Sequence, residues 1–459
     1  MENIVRLEAL RFKNLKNITN GELFFGEKKK IERGDFSDDE KSYSVLGIYG
    51  QNGSGKTTAL NALRIIQGLF SGVFINPVVS GYINVDKEEI SVGADFYIKT
   101  KNGNYYVYYD VAIGKTKISS LFIKNEKISY FKVGEKERKT NVFEFVAPDQ
   151  LKSSFIEKLN QKDRVIYQYT AAIETSFDNN KGVALSSIFN KKLLDIISNN
   201  KEAMPEFSDI VSSLSDYAIN NLAIYSINYF NENENVGIRF RVKNDNEGIN
   251  FSGDIFVPFT PFGLDVNSFV AFKKIIKKIN KVMPSIIPGY SINITETNNP
   301  QVQRILNRVE FVMTSQRGAS KPIPLLYESN GIKKIISILS GLIDAYSNEG
   351  CLMAIDEIDS GIFEYLLGEI VYAFDNFGRG QLIFTSHNMR VLEKVNYKNI
   401  FFTTTNHDNA FVQLTNIRDS NNLRDMYYKY IANGYDENTK LYDMVRTEDL
   451  ISALYIEGK

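Results

Sequence analysis

The sequence predicts an α/β protein: a mixed sheet with an antiparallel β meander and flanking helices, interrupted by a mostly helical insertion. Three observations predict it. The apolar run "YSVLGIYG" feeds straight into a glycine-rich turn and then an amphipathic segment, a strand–loop–helix unit. Strand and helix patterns alternate again from about 309 to 405, which is the arithmetic of a mostly parallel sheet. Between these parts, residues 90 to 146 read as Tyr- and Val-rich strands broken by turns, with "NG" as a hairpin turn.

The elements follow in order. The opening "ENIVRLEALRF" places Val5, Leu7 and Ala9 on one face, as a strand does. After the glycine-rich turn, residues 59 to 70 read as a helix. "ADFYIKT", "NYYVYYDVAI", "SSLFIKN" and "ISYFKVG" read as four meander strands. Helices dominate from about 150 to 230, including the whole of "FSDIVSSLSDYAINNLAIYSI", and a short β-like stretch follows from "NVGIRFRVKN" to "DIFVPF". In "SFVAFKKIIKKINKVMP", Phe272, Ile275, Ile276, Ile279 and Met283 form a helical stripe. Ser329 then suits the N-cap of a helix whose core side is Ile332, Ile335, Ile336, Leu339, Leu342 and Ile343. The domain expectation is two halves of one head, 1–150 and 311–459, flanking an insertion over 151–310.

Composition narrows the function classes. With 43% apolar and 24% charged residues and only 10 Pro, the 459-residue chain reads as an ordinary folded protein with a large core. A net charge of −1 removes any bulk electrostatic case for nucleic acid or an anionic membrane, so either would need a local patch. The single Cys351 excludes an intrachain disulfide and a multi-cysteine metal site, and points to a reducing compartment. The N-terminus lacks an apolar signal region, and no apolar run approaches the ~18 residues of a spanning helix. A cytoplasmic protein with no membrane partner is expected.

Three motifs carry chemistry. "GQNGSGKTT", Gly50 to Thr58, satisfies G-x-x-x-x-G-K-[ST] between an apolar strand and a helix. Gly50, Asn52, Gly53, Ser54, Gly55 and Thr58 are the loop positions whose backbone N–H groups can turn inward on phosphate oxygens. Lys56 supplies a point charge to them, and the Thr57 hydroxyl suits Mg²⁺. "CLMAIDEIDSG" is an apolar strand ending in Asp356, suited to hold Mg²⁺ directly or through water, and Glu357, suited to orient or deprotonate an attacking water. A third strand, "GQLIFTSHN", ends at His387, a candidate sensor of the γ-phosphate. His407 has no such context and reads as a loop residue.

Acid strand, then histidine strand, preceded by the Ser-x-Gly helix start at Ser329 and Gly331, resembles ABC-type ATPases and their signature motif. The resemblance implies an ABC-type P-loop NTPase head that binds ATP and Mg²⁺, hydrolyses ATP, and forms an ATP-promoted two-fold sandwich dimer, from which higher oligomers can be built. It also implies that Ser329 and Gly331 serve the nucleotide of a second copy, and that Asp359, Ser360 and Gly361 form the loop crossing the interface. The segments "LEALRFKNLKNI", "GIYGQNGSGKTTALNAL", "YESNGIKKIISIL", "AIDEIDSGI" and "LIFTSHNMRVL" together look like the RecF/SMC-related branch, especially OLD-like antiviral-defence ATPases such as those of the PARIS and Septu systems. Too few residues follow His387 for a Toprim nuclease domain, so the implied partner is a separately encoded effector such as a nuclease, held until infection is sensed. Two departures stand out. Phe363 replaces the histidine usual after "DSGI", and the glutamine loop has only Gln67, Gln150 and Gln168 as candidates. The alternative is a RecF-like repair ATPase binding duplex DNA, supported by Lys273, Lys277 and Lys281 on one helix face and by Arg304, Arg308 and Arg317.

Overall fold

The computed structural model describes residues 3–26, 43–73, 75–116, 120–134, 140–147, 150–175, 185–225, 237–242, 253–297, 308–414, 422–435, 440–442 and 446–457. The chain opens with a hairpin of β1 (Ile4–Leu15) and β2 (Ile18–Phe24), followed by β3 (Val45–Tyr49) and α1 (Lys56–Phe70). The meander is β4 (Glu89–Lys99), β5 (Asn104–Lys115), β6 (Leu121–Lys132), β7 (Thr140–Val146) and β8 (Gln150–Ser153). With the hairpin it forms a seven-stranded antiparallel sheet ordered β2-β1-β4-β5-β6-β7-β8. One strand, β6, covers what the sequence suggested were two. The pairing of β5 with β6 slips between Ala112 and Ile113, and this bulge breaks the alternation that a single strand should show.

Segment 151–310 begins with four helices, α2 (Ser154–Lys158), α3 (Gln161–Thr175), α4 (Lys191–Asn199) and α5 (Pro205–Asp216). It then turns to strands. β9 (Leu222–Tyr225) is followed by the β10 (Gly237–Val242) and β11 (Gly253–Pro258) hairpin. β12 (Phe262–Asp265), β13 (Tyr290–Glu296), β14 (Arg308–Arg317) and β15 (Ile323–Pro324) make a small antiparallel sheet beside α6 (Val266–Ile286). β9 corrects the expectation of continuous helix through "AINNLAIYSI". The helix ends in a π-turn over Tyr217–Asn221, and the short apolar run after it, ambiguous by periodicity alone, is extended.

The last part supplies α7 (Asn330–Ser347), β16 (Leu352–Ile355), α8 (Glu364–Phe377), β17 (Gln381–Ser386), α9 (Met389–Leu392), β18 (Ile400–Thr403) and β19 (Phe411–Val412). Helices α10 (Leu423–Asn433) and α11 (Thr447–Glu457) follow. A six-stranded sheet, β19-β18-β3-β17-β16-β9, gathers strands from all three parts of the chain, parallel except for β19.

This sheet is buried on both faces, so its strands are continuous apolar runs. Alternate residues serve opposite cores. Leu46, Ile48, Leu352, Ala354 and Ile383 face the core shared with α1 and the antiparallel sheet. Val45, Tyr49, Met353, Ile355, Leu382 and Phe384 face the core beneath α6, α7 and α8. In the first core Phe70 lies 5.7 Å from Phe96, 4.7 Å from Tyr109 and 4.5 Å from Phe189, ring centre to ring centre. The two sheets are tied by one amide. Gln381, 1% exposed, accepts from Leu7 N–H at 2.9 Å and donates to the Leu7 carbonyl at 2.8 Å. No helix among the described residues is long and apolar enough to cross a membrane.

Candidate nucleotide site

The three chemical motifs converge at the C-terminal edge of the parallel sheet, where such sheets bind their ligands. β3 delivers the glycine loop, β16 the acidic pair and β17 the histidine. Because β17 lies between β3 and β16, the acid and histidine strands stand side by side next to the loop.

The loop needs its glycines. Gly50, Gly53 and Gly55 have φ of 154°, 78° and 100°, which disfavour any residue with a Cβ. At Gly50 a Cβ would stand 1.6 Å from Thr403 Oγ1, and at Gly55 it would meet Ile18 Cδ1 at 2.6 Å. Around Gly53 the space is open to 4 Å. Lys56, 6% exposed, donates to the carbonyls of Gly50 (2.9 Å) and Gln51 (2.8 Å) and starts α1, whose first-turn N–H groups lie beside the loop. Burial lowers the Lys56 pKa, while Glu357, Asp356 and Asp359 pull it back up. Ser54 Oγ donates to the Gln51 carbonyl at 2.7 Å and accepts from Thr403 Oγ1 at 2.6 Å.

Thr57 Oγ1 donates to Asp356 Oδ1 at 3.3 Å, which brings together the two expected metal ligands from positions 299 residues apart. Thr385 Oγ1 donates to the same carboxylate oxygen at 2.6 Å and accepts the Glu357 N–H at 2.7 Å. Glu357 holds φ of 47°, a left-handed conformation rare for its type. Its carbonyl accepts from Ser360 N–H at 3.0 Å and from Lys334 Nζ on α7. Burial pushes the Lys334 pKa down to about 8 against the pull of Asp359, Glu357 and Asp356. The backbone N–H of His387 donates to Asp359 Oδ2 at 3.0 Å. Desolvation and the Lys56 charge hold the His387 imidazole below its usual pKa, against the pull of Asp359, Glu357 and Asp356.

Ser329 caps α7, accepting from Ile332 N–H at 3.4 Å, and is exposed. Gly331 is packed against the loop after the acids. A Cβ there would lie 2.0 Å from the Gly361 carbonyl. Thr58 is buried in α1, while Asn52 is exposed at the loop tip.

None of the three glutamine candidates is at this edge. Gln67 Nε2 donates to the Leu222 (2.6 Å) and Ala218 (3.2 Å) carbonyls, bracing the π-turn. Gln150 starts the outermost meander strand and Gln168 is exposed on α3. The position beside the acids belongs to the end of β9, where Asp356 N–H donates to the Tyr225 carbonyl at 2.8 Å. Residues 226–236, which follow it, lie outside the described residues, as does Arg304 of the basic set.

Sequence reasoning also missed the β1–β2 turn. Asn14 and Lys16 are left-handed there, with φ of 56° and 54°, and Asn17 Nδ2 donates to the Gly53 carbonyl at 2.9 Å. Lys16 Nζ lies 4.6 Å from the Tyr82 ring centre, near enough to Asp356 that the carboxylate raises a pKa lowered by burial. Asn14 in "FKNLKN" was the available signal, since Asn tolerates that region, whereas Lys16 gives none.

The residues fit a magnesium nucleotide. Thr57 and Asp356 offer two oxygens, and no group of three or more His, Cys, Asp or Glu among the described residues could cage a metal. That suits Mg²⁺, which is held by one or two protein oxygens together with phosphates and water.

Comparison with known proteins places the chain in a family. The family described as "AAA domain, putative AbiEii toxin, Type IV TA system" matches residues 45–393, well over half of the chain. The chain belongs to that AAA family. The matched span of this AAA domain runs from β3 to the end of α9 and contains every motif residue above. No curated protein matches the chain. Among solved structures it is similar to an SMC head bound to the C-winged helix domain of ScpA, at 12% identity and a TM-score of 0.39 over 89% of this chain and 98% of that one. The SMC head domain from Thermotoga maritima gives 13% and 0.37 over 89% and 98%. The ATP-bound recombination mediator RecF gives 14% and 0.35 over 83% and 93%.

Proposed function

We propose that this AAA protein is an ATP-hydrolysing ABC-type enzyme that dimerises around ATP, acting in the cytoplasm as the sensor and scaffold of an antiviral defence system with a separately encoded toxic effector. The observation that carries the enzymatic part is the Thr57–Asp356 oxygen pair beside the glycine loop, with Glu357 next in sequence. In this reading Lys56 and the loop amides bind phosphate, Thr57 and Asp356 hold Mg²⁺, Glu357 orients water, and a ring N–H of His387 donates to the terminal phosphate. A bound Mg²⁺ supplies charge neutralisation on the phosphates. Ser329 and Gly331 would complete the site of a second copy, since an exposed helix N-terminus suits an anion. The head would comprise 1–150 and 311–459, with 151–310 as the lobe that meets partners. The family's description, which names a putative toxin and a type IV toxin–antitoxin system, supports a toxin–antitoxin setting for this reading.

The test is Glu357→Gln with ATP, followed by native mass and turnover measurements. Trapped ATP in a dimer, with turnover lost, is expected. Normal turnover in that variant removes Glu357 from the reaction, and nucleotide binding by Lys56→Ala at the normal affinity removes the phosphate site. Co-purification of an operon-encoded protein tests the defence reading.

A RecF-like repair role remains the second reading because Lys277 and Lys281 are exposed on α6. Its basic face is reduced, however. Lys273 pairs with Glu296 at 2.5 Å, and Arg308 donates to the Gly263 carbonyl at 2.6 Å. Duplex binding that falls steeply with salt would favour it.

A further inference from the structure

Glu357 is one of three non-glycine residues at positive φ among the described residues, with Asn14 and Lys16. A glutamate gains nothing from that conformation by itself, so its surroundings must impose it. Both of its peptide groups are gripped by side chains from other elements. On the amino side Thr385 Oγ1, wholly buried in β17, accepts the N–H at 2.7 Å and donates onward to Asp356 at 2.6 Å. On the carbonyl side Lys334 Nζ, 3% exposed, reaches across from α7. That lysine lies in the same first two turns as Ser329 and Gly331, and the Gly331 Cα faces the Gly361 carbonyl with no room for a methyl group. The start of α7 and the loop from Asp356 to Gly361 are therefore joined at two points, one at each end of the loop.

We propose that Lys334 is a positioning residue that couples the start of helix α7 to the backbone conformation of Glu357, with Thr385 holding the other side of the same residue. A shift of the α7 N-terminus, whose cap residue Ser329 is exposed, then alters how Glu357 is presented in this copy's own site. The inference rests on the reading of Glu357 as the residue that orients water, and it assigns the link between a second copy's engagement and turnover.

The experiment compares Lys334→Met, Lys334→Arg, Thr385→Val and Thr385→Ser with Glu357→Gln in the full chain. Each variant is read by Mg–ATP affinity, kcat, the Hill coefficient for ATP and a crystal structure at Glu357. Lys334→Met should keep nucleotide affinity and lose kcat by about 10- to 100-fold, as supporting contacts of a reacting group do, while Thr385→Val, which also removes a hydrogen bond from Asp356, should lose kcat and weaken Mg–ATP affinity together. Lys334→Met should also lose cooperativity, and its crystal structure should show Glu357 relaxed to negative φ. Thr385→Ser, which keeps the hydroxyl, and Lys334→Arg, which keeps the donor, should restore most of the rate. Normal kcat and unchanged φ in Lys334→Met overturn the proposal, as does equal loss in Thr385→Ser and Thr385→Val. Should Lys334→Met fail to fold, Lys334→Gln, which is too short to reach the Glu357 carbonyl, is read by the same kcat, Hill coefficient and Glu357 φ and decides instead. Normal turnover in Glu357→Gln would refute the functional reading beneath it, which is a separate outcome.

Discussion

Gly331→Ala is the substitution most directly dictated by the geometry. Its Cβ would stand 2.0 Å from the Gly361 carbonyl oxygen, whereas ordinary contact starts at 3.4 Å, so the two must separate by about 1.4 Å (3.4 − 2.0). Neither side yields easily, since the clash is with backbone and Gly361 is itself at φ of 74°. Overpacking of this kind costs about 1–3 kcal/mol, which a urea titration resolves. The functional effect should be larger. The displaced loop carries Glu357 and Asp359, and a misplacement of about 1 Å at reacting groups can lower the rate by on the order of a hundredfold. The glycine loop is held by other contacts, Asn17 on Gly53 and Thr403 on Ser54, so nucleotide affinity should persist. The assay is therefore turnover beside the affinity for a fluorescent ATP analogue. Wild-type turnover in a stable variant, or a loss of affinity equal to the loss of turnover, would refute the reasoning.

Three further outcomes are expected. Asp265 caps α6 by accepting from Ser268 N–H at 3.0 Å, so Asp265→Ala should destabilise by about 1 kcal/mol in denaturant titrations. Hydrogen bonds to Ser268 hold its pKa below 3.8, so this contribution is present above 3.8, is lost as pH falls through the folded value, and the gap to the variant should close in acid. Glu126 accepts from Tyr109 (2.7 Å), Ser186 (2.7 Å) and both N–H and hydroxyl of Ser187 (2.6 Å each), and Glu126→Gln would leave at least one buried donor unmatched, lowering stability by about 1–3 kcal/mol. Burial raises the Glu126 pKa, so this group's contribution falls as pH rises from 4.5 through the folded value, a slope that the glutamine variant should lack. For His387, whose pKa burial and the Lys56 charge hold below 6.5, the limb of the turnover profile carried by this group should lie on the acid side of 6.5 and be absent from His387→Gln.

Strands β3, β16 and β17 of the parallel sheet were legible because they are short, doubly buried and each followed by a motif whose chemistry fixes its place in the fold. Thr57 and Asp356, expected as metal ligands, do meet, and Ser329 does cap its helix. What was not legible depends on contacts between distant segments. Leu222–Tyr225 looks helical because it continues an apolar pattern; only pairing with β16 makes it a strand, and that partner lies some 130 residues away. The same holds for glutamine. Gln67, Gln150 and Gln168 were candidates only as glutamines that follow the loop in sequence, yet the place beside the acids is set by which strand borders β16.

Side-chain bridges are the other hidden class, because no periodicity marks them. Thr385 in "FTSHN" is an ordinary strand threonine by pattern, and Lys334 sits in a run that reads as the polar edge of an apolar helix. Each becomes informative only when Glu357 is seen at positive φ between them. The site thus draws Asn17, Lys56, Lys334, Asp356, Thr385 and Thr403 from both ends of the chain. Loop-closure entropy rises only slowly with separation, so such long-range closure is thermodynamically tolerable once two buried cores hold the strands in register. Assembly of the two cores therefore precedes a working site: the motif residues can be read singly from the sequence, but their chemistry exists only where the sheet has brought them together.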